Sequence, residues 1–373
     1  MMIRLYARCL AMFWSNSFVD DGSDVMRAKR QNRTLGFCLS AFFFGQKNMP
    51  KRKRDCLNEM PLEDPATMCH PSELSRTRVE CLHDTLKLFR KNKDKYLRRA
   101  TRNLVRWSHN QQSSGDDTIL ICMEEDSLTA VASLTRQYGT IFACLNMANS
   151  TYPGGAYTLG HPAQEENMFR RTDAHFSLTN AVLTRNQGGV VVYTEEMQHL
   201  INADEGRVYF SKTPLICIKG KEDGSMPNLG YELLKKNDIF SFYELRSAAV
   251  NANKVKKNLW SFHKIKETMT QRIHAQFRTL IENKVRHVVL SAFGCGAFGN
   301  DAFMVANIYK DAIGVYKDNF SVIAFAIYYA GVGVNNYDIF SNVLISQKSS
   351  TNEHTEEIDK SGDYPSEDKT DRL

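Results

Sequence analysis

The chain has 373 residues, 42% of them apolar, and a formal net charge of +6. It is long enough to bury a large core in one or two domains. Nine cysteines, none in a Cys-x-x-Cys pair, argue against a disulfide framework or a zinc ribbon and fit the reduced thiols of an intracellular protein.

Residues 1–72 read as an N-terminal extension, disordered or targeting. Met1 to Phe18 is apolar, with Arg4 and Arg8 and no acid before Asp20, as in an organelle-targeting segment. Met49 offers a natural second start, which would make the preceding residues an upstream extension. Lys51 to Arg54 is a basic cluster suited to a nuclear signal or a solvated arm, so the expected location is cytoplasmic or nuclear. Cys69, His70, Cys81 and His83 have no recognised metal-ligand spacing, and no metal is expected. No apolar run approaches the ~20 residues of a membrane span, so no membrane partner is expected. Arg76 to Trp107 predicts a helix, with Val79, Leu82, Leu86, Phe89, Tyr96 and Leu97 at three- and four-residue spacings. Its charges are largely basic, fitting a solvated face or an attractor of phosphates.

Gln111 to Asp117 is a polar turn, Thr118 to Met123 a strand, Ser127 to Tyr138 a helix and Gly139 to Met147 a second strand. That order implies a parallel pair with a right-handed crossover, and so an α/β fold. Val190 to Thr194 and Thr213 to Lys219 read as strands, and Lys219 to Lys236 as an exposed loop. Thr268 to Asn283 is a helix, Val285 to Ser291 a strand, Asp301 to Tyr316 a helix and Phe320 to Tyr329 a final strand. Ser346 to Leu373 is polar and acidic, the composition of a disordered tail.

Two glycine loops leave strand ends. The first is Asn149-Ser150-Thr151-Tyr152-Pro153-Gly154-Gly155-Ala156, followed by Gln164-Glu165-Glu166 and by a helical turn over Asn167 to Leu178. The second is Gly294-Cys295-Gly296-Ala297-Phe298-Gly299-Asn300, which runs into the helix from Asp301. Glycines let backbone N–H groups approach an anion, and a helix N-terminus adds its dipole. Together the loops predict a clamp for a diphosphate, and paired glutamates are the residue type that glycosidic chemistry uses.

The loop Gly154-Gly155-Ala156, the spacer Tyr157 to Ala163 and Gln164-Glu165-Glu166 resemble the signature of the microbial-type poly(ADP-ribose) glycohydrolases, and the second loop resembles that family's other phosphate loop. The resemblance runs roughly from 75 to 345. It implies a three-layer α/β/α macrodomain-like fold with a mostly parallel mixed central sheet over 73–345. It also implies cleavage of ribose–ribose or protein–ribose O-glycosidic bonds in poly(ADP-ribose) or ADP-ribosylated protein, with ADP-ribose as product and neither metal nor cofactor. Glu166 would be the acid that protonates the leaving group, Glu165 would hold the ribose hydroxyls, and Asn149 would bind the distal ribose. Gly154, Gly155, Ala156 and Gln164 would line the substrate on one side. Gly294, Cys295, Gly296, Ala297, Phe298 and Gly299 would do so on the other, with Phe298 against the ribose or folded into the core. Tyr328 or Tyr329 could stack on adenine, and Cys295 reads as a small packing residue. Ala156 departs from the family's third glycine, and its methyl would crowd the ligand if that position needed φ > 0. The rival readings are a non-catalytic ADP-ribose reader, which the glutamate pair argues against, and a nucleic-acid binder built on the basic helix, a partner not otherwise expected.

Overall fold

Ser72 caps the first helix: its Oγ accepts the Ser75 N–H at 3.1 Å. Helix α1 (Glu73–Ser108) then runs through a kink at Asn92, where φ is −136°. The structure, a computed structural model, describes residues 72–109, 117–256, 261–329, 331 and 333–345, all within one compact unit, Met60–Leu373. The extension before Ser72, with Lys51 to Arg54, Cys69 and His70, lies outside the described residues. So do the polar turn up to Asp116 and the tail from Ser346. Val79, Leu82, Leu86, Phe89 and Tyr96 are buried as their spacing predicts, but Leu97 falls off that stripe and is 41% exposed.

Next come β1 (Ile119–Met123), α2 (Ser127–Tyr138) and β2 (Ala143–Met147). The apolar run from Gly139 suggested an earlier strand start. Gly139 instead ends α2 with a φ of 60°, and a Cβ there would stand 2.5 Å from Ser108 Cα. The first glycine loop leads to α3 (Gln164–Arg171), so the glutamates occupy the first turn of this helix rather than preceding it.

A separate hairpin, β3 (Leu183–Arg185) with β4 (Val191–Tyr193), takes up the apolar run at 190–194. Then follow α4 (Glu195–Ile201), β5 (Tyr209–Phe210), β6 (Leu215–Cys217) and β7 (Phe240–Ser247). The stretch 219–236 is not a simple exposed loop: Lys219, Leu229 and Tyr231 are buried, and bridges join Lys219 to Leu233 and Glu222 to Gly230. The chain closes with α5 (Ala252–Lys256), α6 (Phe262–Glu282), β8 (His287–Leu290), α7 (Ala302–Tyr316), β9 (Val322–Ala326) and α8 (Asn336–Ile345).

The sheet order is β1-β9-β8-β2-β7, with every neighbouring pair parallel, while β5 and β6 lie antiparallel along the other edge of β7. Strand side chains alternate between two faces. Leu145, Leu245, Val288, Leu290 and Phe325 pack on α6 and α7 through Met269, Phe277, Val305 and Tyr309. Cys144, Phe242, Val289 and Ala324 pack on α1, α2 and α3 through Leu86, Val131 and Phe169. The result is a three-layer α/β/α fold. No helix among the described residues is long and apolar enough to cross a membrane.

Candidate active site

Parallel strands deliver their carboxyl ends to one crevice. Here β1, β2, β8 and β9 open onto a cavity of about 740 Å³. Gly154 and Gly155 have φ values of 72° and 63°, and each is pressed against a neighbour. A Cβ on Gly154 would lie 2.6 Å from the Tyr157 ring, and one on Gly155 would lie 2.4 Å from Glu166 Oε1. Ala156 has φ −112° and ψ 37°, outside the left-handed region, so alanine fits here without strain and the anticipated crowding does not arise.

Three hydrogen bonds bind α3 to the end of β2. Gln164 Oε1 accepts the Met147 N–H at 3.0 Å, Gln164 Nε2 donates to Leu145 O at 2.8 Å, and Glu165 Oε2 accepts the Asn149 N–H at 2.8 Å. The Ala156 N–H donates to Glu166 Oε1 at 2.9 Å. Two adjacent carboxylates thus converge on one wall, each held by a different backbone N–H of the same loop. Asn149 Oδ1 accepts from the N–H groups of Thr151 and Tyr152, which forms the turn, and Asn149 lines the cavity.

Glu165 is 3% exposed and its Oε1 has no hydrogen-bond partner among the described residues. Burial first, and then the charge of Glu166, push its carboxyl well above the usual range, although the Asn149 N–H and Arg246 oppose them. Beneath it lies a buried polar cluster. Arg246 Nε and Nη2 donate to Glu244 Oε1 and Oε2 at 2.8 and 2.9 Å, Arg246 Nη1 donates to the Tyr193 hydroxyl at 3.0 Å, and Asn146 Nδ2 donates to Glu244 Oε1 at 2.7 Å.

In the second loop Gly294 has φ 75° and is wedged between Ala249 and Asn300. Asn300 Nδ2 donates to Val250 O at 2.7 Å and to Gly294 O at 2.9 Å. Gly296 and Ala297 are exposed on the cavity wall, and Phe298 lines it while packing partly on the core. Asp301 caps α7 by accepting the Met304 N–H at 2.6 Å. Burial and Asp301 push the Cys295 thiol up to about 12, the wrong direction for a nucleophile. Tyr328, 64% exposed, stands at the rim.

Of the residues singled out in the sequence, Asn149, Gln164, Glu165, Glu166, Gly294, Gly296, Ala297 and Phe298 line the cavity. Gly154, Gly155, Ala156, Cys295 and Gly299 do not; they stand behind the wall and shape it. Sequence reasoning missed Arg78, Asp126 and Glu222, all on the wall. Asp126 caps α2 through the Leu128 N–H at 3.0 Å and pairs with Arg171. Burial opposes its ionisation, yet Arg171 and Thr129 hold its carboxyl below the usual range. An Asp directly before an apolar helical run was a readable N-cap signal. Arg78 Nη2 donates to Glu222 Oε1 at 2.7 Å, and Tyr231 donates to Glu222 Oε2, so the 219–236 stretch is latched to α1 at the cavity edge. No local pattern announces that pairing.

Residues 73–199 match the model of the family described as microbial-type PARG, catalytic domain, a segment that holds the first glycine loop and both glutamates but not the second loop. No curated protein matches the chain. The solved poly(ADP-ribose) glycohydrolase from Thermomonospora curvata is similar in structure, with TM-score 0.53 and 20% identity over 72% of this chain and 99% of that one. The same enzyme bound to the inhibitor ADP-HPD gives TM-score 0.52 and 19% identity over the same shares. The Deinococcus radiodurans glycohydrolase in complex with ADP-ribose gives 0.50 and 22%, over 66% of this chain and 90% of that one. At these identities the likeness establishes the macrodomain-like fold, and over residues 73–199, the segment that bears both glutamates, the chain resembles the catalytic domain of the microbial-type poly(ADP-ribose) glycohydrolases.

Proposed function

We propose that the chain hydrolyses the O-glycosidic bond at the distal ribose of ADP-ribose modifications, ribose–ribose or protein–ribose, with Glu166 as general acid and then base. The observation that carries this reading is the convergence of Glu165 and Glu166 on one cavity wall, each oriented by a separate loop N–H. Glycosidic cleavage passes through an oxocarbenium-like state, so a proton must reach the leaving oxygen as positive charge builds on the ring. Glu166 Oε1 is fixed by the Ala156 N–H, while Oε2 has no partner among the described residues and is the oxygen available to hand over that proton. The carboxylate left behind, still held by the Ala156 N–H, can then take a proton from the attacking water. Glu165, whose buried surroundings raise its affinity for a proton, would offer its unpartnered oxygen to a ribose hydroxyl, and the Asn149 amide would offer a donor. The N–H groups of Gly296 and Ala297 and the N-terminus of α7 would face the diphosphate.

Glu166→Gln keeps size but cannot donate a proton as a carboxyl does, so turnover should fall by at least ~10²-fold with ADP-ribose affinity nearly unchanged. Glu165→Gln should weaken both. One observation favours an exchange of roles, since Glu165 is the carboxyl with the raised affinity for a proton. Turnover lost in Glu165→Gln alone, at unchanged affinity, would establish that exchange. Undiminished hydrolysis by Glu166→Gln would sink the mechanism.

A further inference from the structure

Between Lys87 and Arg106, α1 carries nine Lys and Arg residues and a single carboxylate, Asp94. Beyond the kink, Lys95, Arg98, Arg102 and Arg106 are exposed and recur at three- and four-residue spacings, forming one stripe about 16 Å long. The opposite face, with Tyr96, Ala100, Asn103 and Trp107, is buried. Arg106 donates to Asn237 O and lies over the Trp107 ring. Lys95, Arg98 and Arg102 have no carboxylate partner among the described residues. A helix face that is merely solvated tends to alternate its charges. Here Arg98 with Arg102, and Arg102 with Arg106, place like charges four apart, where they repel. An outside anion would relieve that repulsion.

We propose that this stripe is a second, non-catalytic site for the phosphates of a poly(ADP-ribose) chain whose end occupies the cavity, an inference that rests on the reading given under Proposed function. The same helix connects the two places. Arg78 lines the cavity, and Lys95 lies roughly 25 Å further along α1. A single ADP-ribosyl unit held in the cavity does not reach the stripe; a chain of several units, with a diphosphate in each, does. A nucleic-acid duplex has no ADP-ribose end to seat in the cavity.

The test uses the full chain carrying Lys95→Glu, Arg98→Glu and Arg102→Glu together, with the three Gln replacements as a milder set should the reversed charges disturb folding. KM and kcat are measured on long poly(ADP-ribose) and on a mono-ADP-ribosylated peptide across a range of salt. KM for the polymer should rise about tenfold or more at low ionic strength, and its log–log dependence on salt should flatten by about 2. The polymer kcat and both constants for the peptide should stay unchanged. An equal rise for both substrates, or no rise, overturns the site. Binding of labelled polymer to the Glu166→Gln chain reads the stripe without turnover. If the wild-type chain binds polymer through the stripe yet hydrolyses nothing, the proposed activity fails and the stripe stands. Hydrolysis with no stripe dependence overturns the stripe and leaves the activity standing. Duplex DNA bound more tightly than polymer through the same three residues would reassign the stripe to nucleic acid and overturn the proposal.

Discussion

Replacing Gly155 by alanine tests how the glycine loop serves the glutamates. The backbone there has φ 63°, and a left-handed alanine costs about 1–2 kcal/mol. Loss of glycine's freedom in the unfolded chain returns about 0.4–1 kcal/mol of that. The new Cβ would stand 2.4 Å from Glu166 Oε1, 3.0 Å from its Cδ and 3.1 Å from Glu165 Oε2. Ordinary contact begins near 3.4 Å, so the Glu166 carboxylate must retreat by about 1 Å. Because it is the end of a flexible side chain, it can do so without unfolding anything, but its bond to the Ala156 N–H is lost. Net destabilisation should therefore be about 1 kcal/mol, a fall in Tm of roughly 2–4 °C. Turnover should fall by ~10²-fold, the effect of misplacing a reacting group by that distance. Ala156→Gly is the matched control. It recreates the triple glycine that the loop resembles, at a position whose φ of −112° never required one, and should leave kcat unchanged. Melting curves with ADP-ribose release by both variants decide the matter. Wild-type turnover from folded Gly155→Ala would refute the idea that this glycine exists to make room for the acid.

The raised proton affinity of Glu165 has a sign that stability can read. Its contribution is fully present below the ordinary glutamate value of 4.5 and is lost as pH rises through the higher folded-state value. The Tm of Glu165→Gln relative to wild type should accordingly climb from acid to neutral pH, and a flat difference would contradict the burial described above. Glu244→Gln leaves Arg246 charged and buried without its bidentate partner, so it should cost about 3–5 kcal/mol by denaturant titration; a loss below about 1 kcal/mol would show that the pair is not structural. A chain beginning at Pro71 should stay soluble and keep full activity, since every described element lies beyond it; insoluble product would move the domain boundary.

The elements that punctuate themselves were legible. α2 was read at its observed ends, although Asp126, the acidic cap that precedes it, went unremarked and Gly139 was assigned to the next strand. α7 was legible from Asp301 onward because the second glycine loop runs directly into it. β7 was not. Its inward face runs Phe240, Phe242, Glu244, Arg246, and two adjacent charges on a strand suggest solvent, yet both side chains are at most 1% exposed because they neutralise each other. Self-pairing within one strand face leaves no trace in hydropathy. The glutamates and both loops were visible as local signatures, whereas Arg78 and Glu222 meet across 144 residues and could be found only in three dimensions.

Among the described residues β1 stands at one edge of the sheet and pairs with β9, Ile119 against Val322 and Met123 against Ala326. Two walls of the cavity, Asp126 just after β1 and Tyr328 just after β9, are therefore brought together by the pairing most distant in sequence within the sheet. Closing so long a loop is entropically slow, and such contacts come late in folding. During synthesis the glycine loop and its glutamates emerge long before β9 does. A nascent chain lacking β9 would expose β1 as an unpaired edge, prone to association with other strands, and its site would lack one wall. Folding order thus delays a complete cavity until nearly all of the sheet has been made.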